Sequence, residues 1–272
     1  NVAEDLEKVK TSENVLIFAD KTRNIYEVTP GAYDKLMSDD ITKTYKLGSD
    51  NLTEDINTEL KNITSNFSIA DRVDTMAKRN AFITLKDHKD NFDSNPQCRL
   101  INPAKSELGK VSKVILDEIN NKIRSILNVN QWKNSLSVID WFRDTNNKPN
   151  HTFLSFDIVE FYPSITESLL DKVISWAKTL TIITEEQVSI IKHARKSLLF
   201  YGETTWAKKN NASLFDVTMG SYDGAEICDL VGLFILKEIS DNFGKENVGL
   251  YRDDGLMLLH GLKITAEVNN HI

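Results

Sequence analysis

The chain has 272 residues, a net charge of −7, 40% hydrophobic and 27% charged residues, the proportions of a soluble globular protein able to bury a sizeable core. No apolar run approaches the roughly 18 residues of a membrane span, and no secretory signal is visible. Cys98 and Cys228 are too few and too far apart for a disulfide framework or a zinc site, so an intracellular setting, nucleus or cytoplasm, is expected. In chain order, Val15 to Phe18 reads as a short apolar strand and Pro30 to Ser38 as a helix. Asp50 to Phe67 carries a weak helical period at Leu52, Ile56, Leu60 and Ile63. Ala81 to Leu85 and Arg99 to Ile101 read as strands joined by a polar loop. Val111 to Leu127 is an amphipathic helix with Val111, Val114, Ile115, Ile119, Ile123 and Ile126 on its apolar face. A helix over Trp132 to Phe142 and a loop over Asp144 to Asn150 follow, then a strand from Phe153 to Val159. Pro163-Ser164 is expected to open the next helix, Ile165 to Trp176. Glu185 to Phe200 and Asp223 to Ser240 read as helices, and Val248 to Leu259 as a hairpin.

Two features of this pattern carry chemistry. Asp253 and Asp254 stand between two apolar runs, at the tip of the hairpin. Two carboxylates about 4 Å apart repel by about 4 kcal/mol at an effective dielectric near 20, a cost that folding alone does not repay. Bound divalent cations would offset it, since hard cations take carboxylate oxygen; a polar turn that happens to hold two aspartates is the alternative. Asp157 ends the strand from Phe153 and can face that pair, or else serve as a helix cap. Charge is also uneven: from Lys78 to Lys133 eleven Lys or Arg accompany six Asp or Glu, a basic middle on an acidic chain. That suits a groove that tracks a nucleic-acid backbone, and equally the solvated faces of helices, Lys110, Lys113, Lys122 and Arg124 above all.

The strand ending at Asp157, with Tyr162 five residues on, resembles motif A of the reverse transcriptases. Tyr251-Arg252-Asp253-Asp254 resembles their motif C, and Thr218-Met219-Gly220-Ser221-Tyr222-Asp223-Gly224 their motif B. Phe82 to Lys89, followed by Cys98 to Pro103, resembles the segment of the fingers that grips the incoming nucleotide. Leu16 to Lys21, with Ala19-Asp20-Lys21, is similar to a segment of Penelope-like retroelements, the nearest subgroup. The resemblance runs from about residue 15 to 259. It implies an α+β fold, the fingers and palm of a right-hand polymerase, the palm an antiparallel sheet with packed helices. Residues 1–150 would form an N-terminal extension and the fingers, and 151–272 the palm with motifs A, B and C. Thirteen residues follow Leu259, so the palm is expected to be cut short before the thumb, and the start at Asn1 suggests a piece of a longer product.

The resemblance also implies the site. Asp157, Asp253 and Asp254 would be catalytic, and with the carbonyl of Ile158 would hold two Mg2+ ions, Mn2+ being able to substitute. Lys86 and Arg99 would contact the triphosphate, with Lys89 an alternative to Lys86, and a surface ion pair the alternative role for Arg99. Tyr162 would exclude a 2′-hydroxyl by bulk, or else be a core residue. Gly220 and Gly224 would let the motif B loop approach the template closely. Tyr222 and Asp223 depart from the Pro and Gln common at these places, and an acid near template phosphates is unhelpful. The partners would be an RNA template, a DNA or RNA primer and deoxynucleoside triphosphates, with no membrane. An RNA-dependent RNA polymerase and a non-catalytic nucleic-acid-binding remnant are the alternatives.

Overall fold

The computed structural model describes residues 12–49, 51–146, 151–209 and 213–260. It is a mixed α/β chain with four small sheets among the described residues. β1 (Val15–Phe18) and β2 (Ile25–Val28) form an antiparallel hairpin. α1 (Pro30–Thr44) starts with proline in its first turn, and the Thr29 hydroxyl accepts from the Ala32 amide at 3.4 Å. It runs past the expected end at Ser38, because Met37 and Ile41 are fully buried on one face. β3 (Tyr45–Leu47) follows, then α2 (Leu52–Asn66), whose Ile56 and Leu60 are buried as their spacing predicts. β4 (Phe82–Leu85) and β5 (Cys98–Ile101) make an antiparallel ribbon with Thr84 opposite Arg99.

α3 (Leu108–Leu127) and α8 (Gly224–Phe243) are the two long helices at the centre. Their contact sets which face of α3 is buried: Ile119 and Ile123 of the expected apolar face lie on it and Val111 and Ile115 are partly buried, but Val114 and Ile126 are not on it. Val114 and Ile126 are more than half exposed, while Ser112 and Asn120 are buried. Both polar residues find partners: the Ser112 hydroxyl donates to Asp223 at 2.5 Å, and the Asn120 amide to the Glu226 carbonyl at 2.9 Å. Around this seam Leu116, Ile119 and Ile123 pack with Leu170, Val173, Ile227, Leu230 and Val231. Each such fully buried aliphatic side chain contributes about 1.5–3 kcal/mol.

Several expected boundaries shift. The Trp132 to Phe142 helix is instead β6 (Asn130–Gln131) followed by α4 (Ser135–Asp144), which starts where the Asn134 side chain accepts from the Ser137 amide at 3.0 Å. Trp132 donates its amide to the Leu250 carbonyl at 2.8 Å, which keeps it extended. β7 (His151–Asp157) ends at Asp157 as expected. Pro163 and Ser164 close a single turn, α5 (Phe161–Ser164), rather than opening a helix. The helix begins afresh as α6 (Glu167–Lys178), capped by the Thr166 hydroxyl accepting from Leu169 at 3.1 Å. α7 (Glu185–His193) stops short of Phe200, which lies in β8 (Leu199–Tyr201). β8 turns back into β9 (Thr204–Lys208) through Gly202, whose φ of +60° suits glycine. β9 also pairs with β3. Of the expected loop from Asp144 to Asn150, residues 147–150 lie outside the described residues.

The sheet that matters for function has the order β6-β10-β11-β7, with β10 (Val248–Tyr251) and β11 (Asp254–His260) forming the expected hairpin. β10 runs parallel to β6 and β11 antiparallel to β7. Glycine is required in both hairpin strands. A Cβ on Gly249 would overlap the Trp132 ring, and one on Gly255 the Phe156 ring. Each aromatic lies flat across bare backbone, and together they fix the depth of the hairpin in the sheet.

Candidate active site at the end of the four-stranded sheet

The β11–β7 register places Asp254 directly opposite Asp157. Asp253 sits in the two-residue turn beside them, and its carbonyl accepts from the Ile158 amide at 2.9 Å. The pairing thus extends beyond the strands and binds the start of the next loop to the hairpin tip. Burial raises the Asp254 carboxyl above its ordinary pKa, and repulsion from Asp253 and then Asp157 raises it further, while Lys21 pulls it down. The mutual repulsion anticipated from the sequence is therefore present in the fold. The backbone around it is strained as well: Arg252 in the turn has φ +56°, and Glu160, just after Asp157, has φ +50°. Left-handed geometry at non-glycine residues costs on the order of 1–3 kcal/mol and collects at functional sites.

A cleft of about 670 Å³ opens in front of Asp157 and Asp253, while Asp254 is not among its walls. Its walls include Asp157, Ile158, Tyr162, Asp253, Arg252, Met219, Lys86 and Arg99. Lys86, and not Lys89, lines it. Arg99 reaches it from β5 and forms an ion pair with Asp20 at 3.1 Å. The expected alternative for Arg99, an ion pair with a carboxylate, is thus found together with a place in the cleft. Tyr162 is half-buried; burial first, and then the neighbouring Cys228 thiol, push its phenol up to about 12. Its ring packs against the main core and borders the cleft at once, so both expectations for it describe part of its surroundings.

The glycines of the Thr218 to Gly224 loop do something other than expected. Neither lines the cleft. A Cβ on Gly220 would overlap the Asn102 carbonyl, and one on Gly224 would sit 2.7 Å from the Thr218 carbonyl and 2.6 Å from the Ser221 hydroxyl. The close approaches that demand glycine are to the protein's own backbone. Asp223 also has a different place from the one its position implied. It is fully buried and paired with Arg195, which is itself only 1% exposed. Burial draws the Arg195 guanidinium down to about 10, against the attraction of Asp216. Asp216 is buried too, and holds Tyr45 at 2.9 Å and Lys208 at 2.6 Å. Tyr222 donates to Glu107 at 3.1 Å, with the Lys105 and Lys110 ammoniums 4.5 and 5.1 Å from its ring.

The basic middle divides in the same way. Lys110, Lys113 and Arg124 form ion pairs with Glu107, Glu226 and Asp229, and so behave as helix-face residues. Asp20 stood out only within the Ala19-Asp20-Lys21 segment, with no sign of its partner, and Arg195 lies in a run that reads as helix; each acquires its partner only through the tertiary fold.

The donor set fits a divalent cation of the magnesium kind. Among the described residues no three His, Cys, Asp and Glu side chains are gathered into a ready cage. Magnesium does not need one: it keeps several waters and is held by one or two carboxylates plus substrate phosphates. Asp157 and Asp254, opposed across two strands, would supply those carboxylates.

This mixed α/β fold, with aspartates at the tip of an antiparallel hairpin and a third at the end of the flanking strand, is shared with solved telomerase structures. Solved structures that share it include telomerase from Candida tropicalis truncated from its C-terminal domain, at TM-score 0.61 and 15% identity over 94% of this chain and 54% of that one. Telomerase from Candida albicans, in complex with a TWJ fragment of telomeric RNA, superposes at TM-score 0.63 and 11% identity over 97% of this chain and 48% of that one. Apo telomerase from Candida tropicalis gives 0.62 and 11%, over 97% and 50%. The chain spans about half the length of these structures. No protein-family model and no curated protein matches it. No helix among the described residues is long and apolar enough to cross a membrane.

Proposed function

We propose that the chain is the fingers and palm of an RNA-directed DNA polymerase, which joins a primer 3′-hydroxyl to the α-phosphorus of a deoxynucleoside triphosphate and expels pyrophosphate. The observation that carries this reading is a cleft that presents Asp157, Asp253, Lys86, Arg99 and Tyr162 together, with Asp254 paired to Asp157 across the strands behind it. Asp157, Asp253 and Asp254, with the Ile158 carbonyl, would hold two Mg2+ ions. Bound there, such ions lower the pKa of an attacking hydroxyl and neutralise a leaving phosphate. The remaining work falls to the chain itself. Arg99 offers a forked set of donors to non-bridging phosphate oxygens, and Lys86 a mobile point charge. The Tyr162 ring, at the cleft wall, would exclude a 2′-hydroxyl by bulk.

The partners in this reading are an RNA template, a DNA or RNA primer and deoxynucleoside triphosphates. A mobile element of the Penelope-like group is the proposed context, supported by the Ala19-Asp20-Lys21 segment. Tyr162 favours DNA over RNA synthesis. Burial of Asp223 against Arg195 weakens one of the grounds for a non-catalytic remnant, the altered motif B. Primer extension on RNA and DNA templates, by this chain and by a C-terminally extended one, tests the proposal. Deoxynucleotide addition that disappears in Asp157→Asn and Asp254→Asn supports it. Addition that survives both changes, or no addition by the extended protein on any template, refutes it.

A further inference from the structure

Asp20 belongs to the tip of the β1–β2 hairpin, and that tip is fastened to the β4–β5 ribbon on two sides. Ala19 bridges to Leu85, and the Asp20 amide donates to the Leu85 carbonyl at 2.8 Å. Just beyond β4 the Asp87 carboxylate accepts from Thr22 at 2.6 Å, Asn24 at 2.9 Å and Tyr26 at 3.0 Å. The ends of the tip are therefore clamped, and Asp20 is held between them. Its side chain is 10% exposed, while that of Arg99 is 35% exposed. One carboxylate oxygen lies 3.1 Å from the Arg99 Nη1. The other is buried and has no hydrogen-bond partner.

We propose that Asp20 is a positioning residue for nucleotide binding: its clamped carboxylate takes one corner of the Arg99 guanidinium and aims the rest of the fork into the cleft, toward a triphosphate. The inference rests on the reading of the cleft as a nucleotide site. A guanidinium has five N–H donors in fixed geometry, so one ion pair leaves most of the fork available for phosphate oxygens. A long side chain oriented before binding loses less freedom on binding, which is worth on the order of threefold to tenfold in affinity. The buried, partnerless oxygen fits this role better than that of a simple surface pair, since a carboxylate placed only to neutralise Arg99 would keep its oxygens in water.

The test is binding, measured by calorimetry on the 272-residue chain with two probes, inorganic tripolyphosphate and dGTP with Ca2+. Arg99→Ala should weaken both by about tenfold or more, and Asp20→Asn, which keeps side-chain size and both backbone anchors, by about threefold to tenfold. In the Arg99→Ala background Asp20→Asn should change binding by less than about twofold, a non-additivity that a merely structural role would not produce. Asp20→Glu, which keeps the charge, should bind better than Asp20→Asn, and serves as the test if Asp20→Asn does not melt cooperatively. Unchanged or tighter binding by Asp20→Asn, or an equal effect in both backgrounds, overturns the inference and leaves the nucleotide cleft standing. A chain that binds neither probe, or that binds as well after Arg99→Ala, overturns the cleft reading and this inference with it.

Discussion

Removing the Asp223 carboxylate isolates a buried cation. In Asp223→Ala the Arg195 guanidinium, 1% exposed and with its Nε already lacking a partner, loses its ion pair, and the Ser112 hydroxyl loses its acceptor. Breaking a buried pair from one side costs about 3–5 kcal/mol. Against a total stability of roughly 5–15 kcal/mol that is about a fifth or more of what keeps the chain folded. At roughly 2–4 °C per kcal/mol for a chain of this size, the melting temperature should fall by about 6–20 °C. Urea denaturation should show a lower midpoint at an unchanged slope. Replacing both partners with apolar residues, Asp223→Leu with Arg195→Met, should recover much of the loss, because no charge is left buried. Asp223→Asn should fall between. A loss below about 1 kcal/mol in Asp223→Ala would mean that Arg195 finds another counter-charge, with Asp216 the nearest candidate. A gain in nucleic-acid affinity at unchanged stability would mean that the carboxylate faces the template after all.

Mg2+ should raise the melting temperature of the wild-type chain by an amount that follows its concentration, and both Asp157→Asn and Asp254→Asn should abolish the shift. Without the ion, Asp254→Asn should melt higher than wild type, since it removes a charge that burial, and then repulsion from Asp253 and Asp157, disfavours; an equal or lower value refutes that account. In a chain that extends primers, Tyr162→Ala should raise ribonucleotide incorporation relative to deoxynucleotide incorporation, and a flat ratio would leave Tyr162 a packing residue. His193 is buried and its pKa lies below the ordinary value, chiefly through desolvation and then Lys196, with Glu59 opposing. The unfolded chain therefore takes up a proton near pH 6.5 that the folded chain resists, and stability should fall as pH drops below that point. His193→Gln should flatten this slope, and an unchanged slope would place its origin elsewhere. Gly255→Ala should cost at least about 1–3 kcal/mol through collision with Phe156, measured by thermal melting; a neutral result would show that the ring can move.

What the sequence made legible depends on how local each cause is. The hairpin, α8 and α2 follow from periodicity that neighbours impose on one another, and they stand where expected. The tip aspartates were readable because their repulsion is a cost visible within a few residues. The buried face of α3 was readable only in its aliphatic part, Ile119 and Ile123 with Val111 and Ile115, since Ser112 and Asn120 turn inward only because α8 offers Asp223 and the Glu226 carbonyl. β3 and β9 are short strands that exist by pairing with each other across most of the chain, although Tyr201-Gly202-Glu203 before Thr204 carried a turn signal that could have revealed β8 and β9. Gly220 and Gly224 signalled a close approach, but not that the approaching partner is protein.

The strand order β6-β10-β11-β7 also dictates a sequence of events during synthesis. β6 and β7 leave the ribosome first, and in the finished sheet they stand apart with room for two strands between them. Until residues 248–260 emerge, both keep an inner edge of unpaired amides and carbonyls, and the Phe156 and Trp132 rings have no glycine to cover. An open edge of this kind invites pairing with a neighbouring chain. The hairpin that brings Asp253 and Asp254 therefore also closes that gap like a wedge. A nascent chain cannot assemble its chemistry before it has sealed its most adhesive surface, and any delay between the two strands and the hairpin exposes the molecule to aggregation.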